Sequence, residues 1–214
     1  SFCPVCTHFK IRTEVAIYHQ VLDKMKNDSK FNDFETRMLT LKIPFHHIRD
    51  APDKIDFINA SFFKFMNYKK QNRFTPNKEH GVSLKEMLFG CSKLVHVSLN
   101  GDSIDAGVHL HVLLFLNPIF EFDDPLIDRI LSERWNKATG LTGHYHHIAA
   151  IENTRKSIMN TLAYCMTTLK HESIKEHPEK FLTLIEILKG KRTASHYKDV
   201  RSLRIAVRSD YKKR

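Results

Sequence analysis

The sequence predicts an α+β fold in which helices flank a central antiparallel sheet. The turn signal Asn100-Gly101-Asp102 lies between two strand-like segments, and such a signal is typical of a β-hairpin. Segments with helical spacing of apolar residues precede and follow this hairpin, an order that favours an antiparallel sheet with helices packed on it. With 214 residues, 42% of them hydrophobic, the chain is long enough to bury the core of one compact domain.

Each element is predicted from the period of its apolar residues and from its boundary signals. The strands before Pro44 and Pro118 end there because proline cannot donate to a sheet ladder. Asn153 or Thr154 is a suitable helix N-cap, and Gly190 is a suitable helix stop. In chain order, we predict a helix at 13–26, a strand at 36–43, a helix at 53–65, strands at 92–99 and 107–116, a helix at 126–137, a strand at 145–151, helices at 154–170 and 179–188, and a last strand at 203–207.

Composition divides the chain into a cysteine-containing segment with a helix (1–30), a main domain (31–190) and a basic tail (191–214) with a possible edge strand. A polar, basic stretch at 67–80 is predicted to be a loop or a disordered arm. Lys and Arg outnumber Asp and Glu by 34 to 24, and the resulting charge of +10 favours a nucleic acid or anionic partner over a charge that serves solubility alone. No run approaches the roughly 20 apolar residues of a membrane span, so we predict no membrane partner. The scattered cysteines suit a reducing cytoplasm.

Two histidines on the predicted strand at 107–116 are candidate metal ligands. His109 and His111 share one face of the strand because side chains alternate, and they are separated by about 6.6 Å of strand rise. That spacing lets two imidazoles converge on one ion, although two hydrogen-bonded structural histidines are the alternative. His96, on the preceding strand, is a candidate third ligand, but the sequence leaves its face open. Three histidines with open water positions would suit Mn, Mg, Co or Zn.

Tyr164 is a candidate nucleophile. It lies on the hydroxyl- and amide-rich side of its predicted helix, with Asn160 and Thr161, opposite an apolar stripe that contains Ile158 and Leu162. Most helix tyrosines are packing residues, but beside a metal site this phenol would be placed to attack a phosphodiester.

Cys3 and Cys6 have the spacing of half a zinc site. His8 or residues upstream of Ser1 would have to complete it, and two reduced packing cysteines are the alternative.

Several motifs then fall in a recognisable order. They are Phe2-Cys-Pro-Val-Cys6, Met38-Leu-Thr-Leu41, Val108-His-Leu-His-Val-Leu-Leu114, Tyr164 and Leu188-Lys-Gly-Lys-Arg192. On these motifs, the chain resembles the Rep-type rolling-circle plasmid replication initiators of the HUH endonuclease superfamily. The likeness covers most of the chain, and the ordered set is more specific than any single motif.

The resemblance implies an HUH-type palm and a metal-dependent nickase that cuts single-stranded or hairpin origin DNA. Tyr164 would form a 5′-phosphotyrosine link and leave a free 3′-OH, with His109, His111 and His96 holding a Mn or Mg ion (Co or Zn as alternatives). It also implies host helicase and polymerase partners in a bacterial cytoplasm.

The chain departs from the family pattern at several positions. Leu110 replaces a proline between the two histidines, and His96 stands where the family often has Glu. Asn160 stands where a Glu is thought to activate water at termination, and an amide cannot act as a base. Thr167 replaces a lysine, with Lys170 three residues further along. These departures put the termination chemistry in doubt more than the nicking.

Two other functions stay open. A single-tyrosine HUH transposase would use the same chemistry, whereas conjugative relaxases place the tyrosine before the histidine motif. The second alternative is a non-catalytic, zinc-containing nucleic-acid-binding module in which His109 and His111 are structural.

Overall fold

The computed structural model describes residues 4–44, 50–70, 82–98, 107–118, 124–142, 146–152, 154–166, 182–183, 185–186, 188–191 and 193–212. The α-helices with described bounds are α1 (Pro4–Asn27), α2 (Ala51–Asn67), α3 (Leu84–Met87), α4 (Asp124–Thr139), α5 (Arg155–Met166) and α6 (Lys198–Lys212). The strands are β1 (Glu35–Pro44), β2 (Lys69–Lys70), β3 (Val82–Ser83), β4 (Leu88–Ser98), β5 (Gly107–Leu116), β6 (His146–Ile151) and β7 (Ala194–Tyr197).

The predicted fold class is confirmed. Five strands form one antiparallel sheet in the order β6-β1-β5-β4-β7, and helices pack on both faces of it. The central strand β5 pairs along its length with β1 on one side and with β4 on the other. Among the described residues, no helix has the length and apolar character needed to cross a membrane.

One face of the sheet is mainly apolar and packs against α2 and α4; we name it the apolar face. The buried Lys93 of β4 also lies on this face, opposite Val112, where its ammonium donates to Asn59 and contacts the Phe62 ring. Leu39 and Leu41 of β1 and alternate residues of β5, such as Leu110 and Val112, are completely buried there. Helix α2 places its apolar side chains at helical spacing on this face, as its sequence predicts. They are Ile55, Ile58, Phe62 and Phe65.

The opposite face, which we name the histidine face, is covered at one end by α1, α5 and α6. Leu113 and Phe115 of β5 are buried at this covered end, together with Ile158 and Leu162 of α5. Helix α6 packs against both α1 and β4, and Arg204 and Arg208 form ion pairs with Glu14 of α1. At the other end of the face, β5 carries His109 and His111 instead of apolar residues, and Leu94 of β4 lies opposite His111.

The predicted strand at 203–207 is wrong, since these residues lie within α6. Leu203, Ile205 and Val207 alternate as a strand would, but Val207 is buried while Ile205 is 59% exposed. Val200 and Val207 are both buried, and their separation of two helical turns places them on one side of a helix. The helical period of the buried residues therefore decides the structure of this segment over the alternation at 203–207. The basic tail does contain an edge strand, but it is β7 (Ala194–Tyr197), which precedes the predicted segment and pairs with β4.

Other boundaries also differ from prediction. Helix α1 begins at Pro4 instead of at residue 13, and proline is tolerated at a first helical position because its missing N–H would be unpaired there. The short helix α3 was not predicted, although Ser83 and Glu86 form a reciprocal capping box at its start. In α5 the Thr154 hydroxyl accepts a hydrogen bond from the Ser157 N–H at 3.2 Å, so of the two predicted caps Thr154 makes this contact. Most of the basic stretch at 67–80 lies outside the described residues.

Candidate active site

Strand register brings three histidines together on the histidine face. His96 of β4 lies directly opposite His109 of β5, and directly opposite residues of an antiparallel pair share a face. The ring centroids of His96 and His109 are 6.0 Å apart, those of His96 and His111 are 5.6 Å apart, and those of His109 and His111 are 6.4 Å apart. The face of His96, which the sequence left open, is therefore that of His109 and His111. We name these three residues the histidine cluster.

Tyr164 lies at the edge of this cluster. Its ring centroid is 5.7 Å from that of His111 in an edge-to-face arrangement, with an interplanar angle of 64°. Burial of Ile158 and Leu162 fixes the rotation of α5, which leaves Tyr164 on the opposite side of the helix and 62% exposed. The tyrosine is thus accessible to a large substrate while it contacts the histidine cluster.

The electrostatic environment keeps His109 and His111 uncharged near neutral pH. Burial, together with the neighbouring His96 imidazole, lowers the pKa of His111 to about 4. The pKa of His109 is also lowered to about 4, by burial first and then by His96 and the Lys42 ammonium. A neutral imidazole carries a free lone pair, which is the form that binds a metal ion.

The donor set fits a divalent ion, whereas the spacing is slightly wide. Three imidazoles bound to one ion at a metal–nitrogen distance of about 2.1 Å would hold their ring centroids roughly 4.5 Å apart in an octahedral site and roughly 5.2 Å apart in a tetrahedral site. The centroids in the histidine cluster are 5.6–6.4 Å apart. Accordingly, no three His, Cys, Asp or Glu side chains within the described ranges already stand in a metal-binding arrangement. Side-chain rotations that move the rings by about an ångström would close the site.

Strand β1 adds polar residues to this site that sequence reasoning missed. Thr40 lies opposite His111, and Lys42 lies opposite His109. The Thr40 Oγ1 atom is 3.2 Å from Nδ1 of His111. On the other side of β1, His147 of β6 lies opposite Thr40 and is exposed. Alternation with the buried leucines of β1 predicts that Thr40 and Lys42 share a face, but only the pairing of β1 with β5 places that face beside the histidines.

The other predicted site residues are not brought to the cluster by any described contact. Asn160 is exposed on α5, four residues before Tyr164. Cys3 and Lys170 lie outside the described residues, and of Cys6 only the backbone, within α1, is described. The zinc site at the cysteine pair and the role of Lys170 stay predictions.

Comparison of the chain with protein-family models, with curated proteins and with solved structures finds no match.

Proposed function

We propose that this protein is a metal-dependent nickase that initiates rolling-circle replication of a plasmid in a bacterial cytoplasm. One observation carries the proposal: Tyr164 contacts the histidine cluster, in which His109 and His111 are neutral, although it reaches that cluster from a separate helix. The order of these residues along the chain also follows that of the Rep-type initiators. The substrate would be single-stranded or hairpin origin DNA.

His109, His111 and His96 would hold the divalent ion, with Mn or Mg as the first choice and Co or Zn as alternatives. When bound, such an ion supplies Lewis-acid polarisation of the scissile phosphate. The Tyr164 oxygen attacks phosphorus, so that a tyrosyl O–P bond forms while the P–O3′ bond breaks. The phenolic proton is lost to solvent and the leaving 3′-oxygen gains a proton, which yields a 5′-phosphotyrosine and a 3′-OH that primes synthesis.

Charge on the chain suits a nucleic-acid substrate. Lys42 lies on the histidine face directly opposite His109, where its ammonium would stand near a bound phosphate. The basic stretches at 69–78 and 191–214 are further candidate contacts with the DNA backbone. Host helicase and polymerase would then use the nicked origin.

The experiment that tests this proposal is a search for a covalent protein–DNA adduct. A pool of single-stranded and hairpin oligonucleotides, labelled at the 3′ end, is incubated with the protein and Mn, then separated under denaturing conditions. Since the protein would stay attached to the 5′ phosphate, the label should migrate with the protein, and EDTA should prevent this. DNA that binds without any adduct, across Mn, Mg, Co and Zn, would contradict the proposal.

A second candidate is a non-catalytic, zinc-containing nucleic-acid-binding module. The observation that favours it is that His111 already has a hydrogen-bonding partner in Thr40, as a structural histidine would. Metal analysis separates the two candidates. One exchangeable Mn-type site with nicking supports the enzyme, whereas a tightly held zinc without cleavage supports the module.

A further inference from the structure

The position of Thr40 beside His111 is fixed by the surrounding sheet. Leu39 and Leu41, on either side of Thr40, are completely buried in the apolar face. A slip of β1 by one residue would expose both leucines and bury the polar face, so the register is strongly specified. The Thr40 hydroxyl is therefore held against Nδ1 of His111 at 3.2 Å.

This contact has a consequence for the proton on the imidazole. A neutral imidazole carries one N–H, on either Nδ1 or Nε2. If the Thr40 oxygen accepts from Nδ1–H, the lone pair is on Nε2, at the other side of the ring. If the hydroxyl donates to Nδ1 instead, Nε2 carries the proton and cannot bind a cation.

We propose that Thr40 is a positioning residue that holds His111 in the Nδ1-protonated tautomer, so that the Nε2 lone pair is directed away from β1 and into the histidine cluster. The inference rests on the proposed function, because it assigns Thr40 the task of preparing His111 to hold the metal ion. Histidines that bind metals commonly donate their other ring N–H to an oxygen acceptor, which sets both tautomer and ring orientation.

The test measures the tautomer directly, in metal-free protein with no DNA present. Two-bond proton–nitrogen NMR spectra of protein labelled with 15N in its imidazoles distinguish a protonated from an unprotonated ring nitrogen. In the wild type at pH 7, His111 should be mainly protonated at Nδ1. Thr40→Val keeps the shape of the side chain and removes the hydroxyl, so the tautomer ratio should fall by about fivefold, the change that corresponds to about 1 kcal/mol for one lost hydrogen bond. Thr40→Ser restores the hydroxyl and should return the ratio toward that of the wild type.

Thr36 provides a matched control. It lies on the same strand and the same face as Thr40, and its buried hydroxyl oxygen has no hydrogen-bond partner among the described residues. Thr36→Val should therefore leave the tautomer ratio of His111 unchanged.

A wild-type His111 protonated mainly at Nε2, or an unchanged ratio in Thr40→Val, would overturn the inference. Mn affinity, measured by electron paramagnetic resonance, should fall about tenfold in Thr40→Val and stay constant in Thr36→Val. An unchanged Mn affinity would overturn the link between Thr40 and the metal. Neither readout requires cleavage, so failure of the nickase proposal would be seen separately, as absence of the covalent adduct.

Discussion

The two faces of the central sheet are made by the same strands, yet the polarity of their side chains changes along β5 on only one of them. On the apolar face, β5 contributes only completely buried aliphatic residues, from Val108 to Leu114. On the histidine face, the same strand is apolar at Phe115 and Leu113 and then polar at His111 and His109. The change occurs beyond the residues that pack with α1, α5 and α6. The site thus lies where the apolar cover gives way to the exposed side of α5, from which Tyr164 contacts His111.

The side chains of the two faces also differ in what they contribute to the free energy of folding. A buried aliphatic side chain contributes about 1.5–3 kcal/mol to folding, whereas a buried imidazole costs free energy unless it is hydrogen-bonded. At the covered end, one set of polar groups is paired: the Tyr18 hydroxyl contacts both Ser92 and Nδ1 of His196. The buried Thr36 hydroxyl has no hydrogen-bond partner among the described residues. At the other end, His109 and His111 are imidazoles in the sheet interior, and burial lowers the pKa of both. Groups that break the local rule for a sheet interior mark a functional site more often than a stabilising one.

The largest expected effect is on activity, at the histidine end of the face. His109→Ala and His111→Ala should each abolish metal-dependent DNA cleavage, because each removes one of the three imidazoles that would hold the ion. Denaturing gels with 3′-labelled DNA measure this loss. Circular dichroism should show both variants folded, and full cleavage by the double variant would disprove the metal assignment.

The next largest effect is on stability, and the comparison is between two residues that are adjacent in sequence but lie on opposite faces of the sheet. Leu110→Ala should lower the free energy of unfolding by about 2–5 kcal/mol, since it leaves a cavity in the apolar face. His109→Ala, one residue earlier but on the other face, should change it by less than about 1 kcal/mol. Urea denaturation monitored by Trp135 fluorescence gives both values. Equal losses would mean that His109 is a packing residue.

Acid should weaken the fold in part through the histidine face. The pKa values of His109 and His111 are about 4 in the folded protein and near 6.5 when unfolded. As pH falls below 6.5 the unfolded chain binds protons first, so these two histidines cost the folded state stability between pH 6.5 and 4 and no more below 4. For the two histidines together we expect a loss of about 3 kcal/mol in EDTA between pH 6.5 and 5. Thermal denaturation of wild type against a double His→Asn variant at 109 and 111 checks this, because the variant should lose less stability.

The smallest effect concerns Asn160, which is exposed four residues before Tyr164. An amide cannot accept a proton from water, so the wild-type adduct should persist. Asn160→Glu should release the DNA severalfold faster, as followed by the decay of the labelled adduct. Asn160→Gln is the control of equal size, and a release rate that is the same in the two variants would remove this residue from the reaction.

Much of the fold follows from local patterns in the sequence. The bounds of β5 agree with prediction because a turn signal precedes it and Asn117-Pro118 follows it. Strand β7 was not predicted because its four residues, Ala-Ser-His-Tyr, carry no apolar period, and its place is set by pairing with β4. Gly90 shows the tightness of that edge, since a Cβ there would lie 2.7 Å from the Tyr197 carbonyl oxygen.

Some residues of the site can likewise be placed from local sequence patterns, whereas others depend on strand pairing. Alternation within one strand places His109 and His111 together, and the apolar stripe of α5 leaves Tyr164 outside the core. The face of His96 depends on the register of β4 with β5, which the sequence did not fix. The contact between Thr40 and His111 depends on a pairing between strands that lie far apart in the chain. Residues that a second strand brings to the site were the ones that sequence reasoning missed or left open.

The most direct test of the account is the location of the covalent bond to DNA. The protein is reacted with single-stranded DNA and Mn, digested with nuclease and protease, and the modified peptide is sequenced by mass spectrometry. The account predicts a nucleotide phosphate on Tyr164 in the wild type and no adduct in Tyr164→Phe, which keeps the ring against His111 and should bind metal and DNA as before. An adduct that persists in Tyr164→Phe, or that maps to another residue such as Tyr145 or Tyr197, would contradict it.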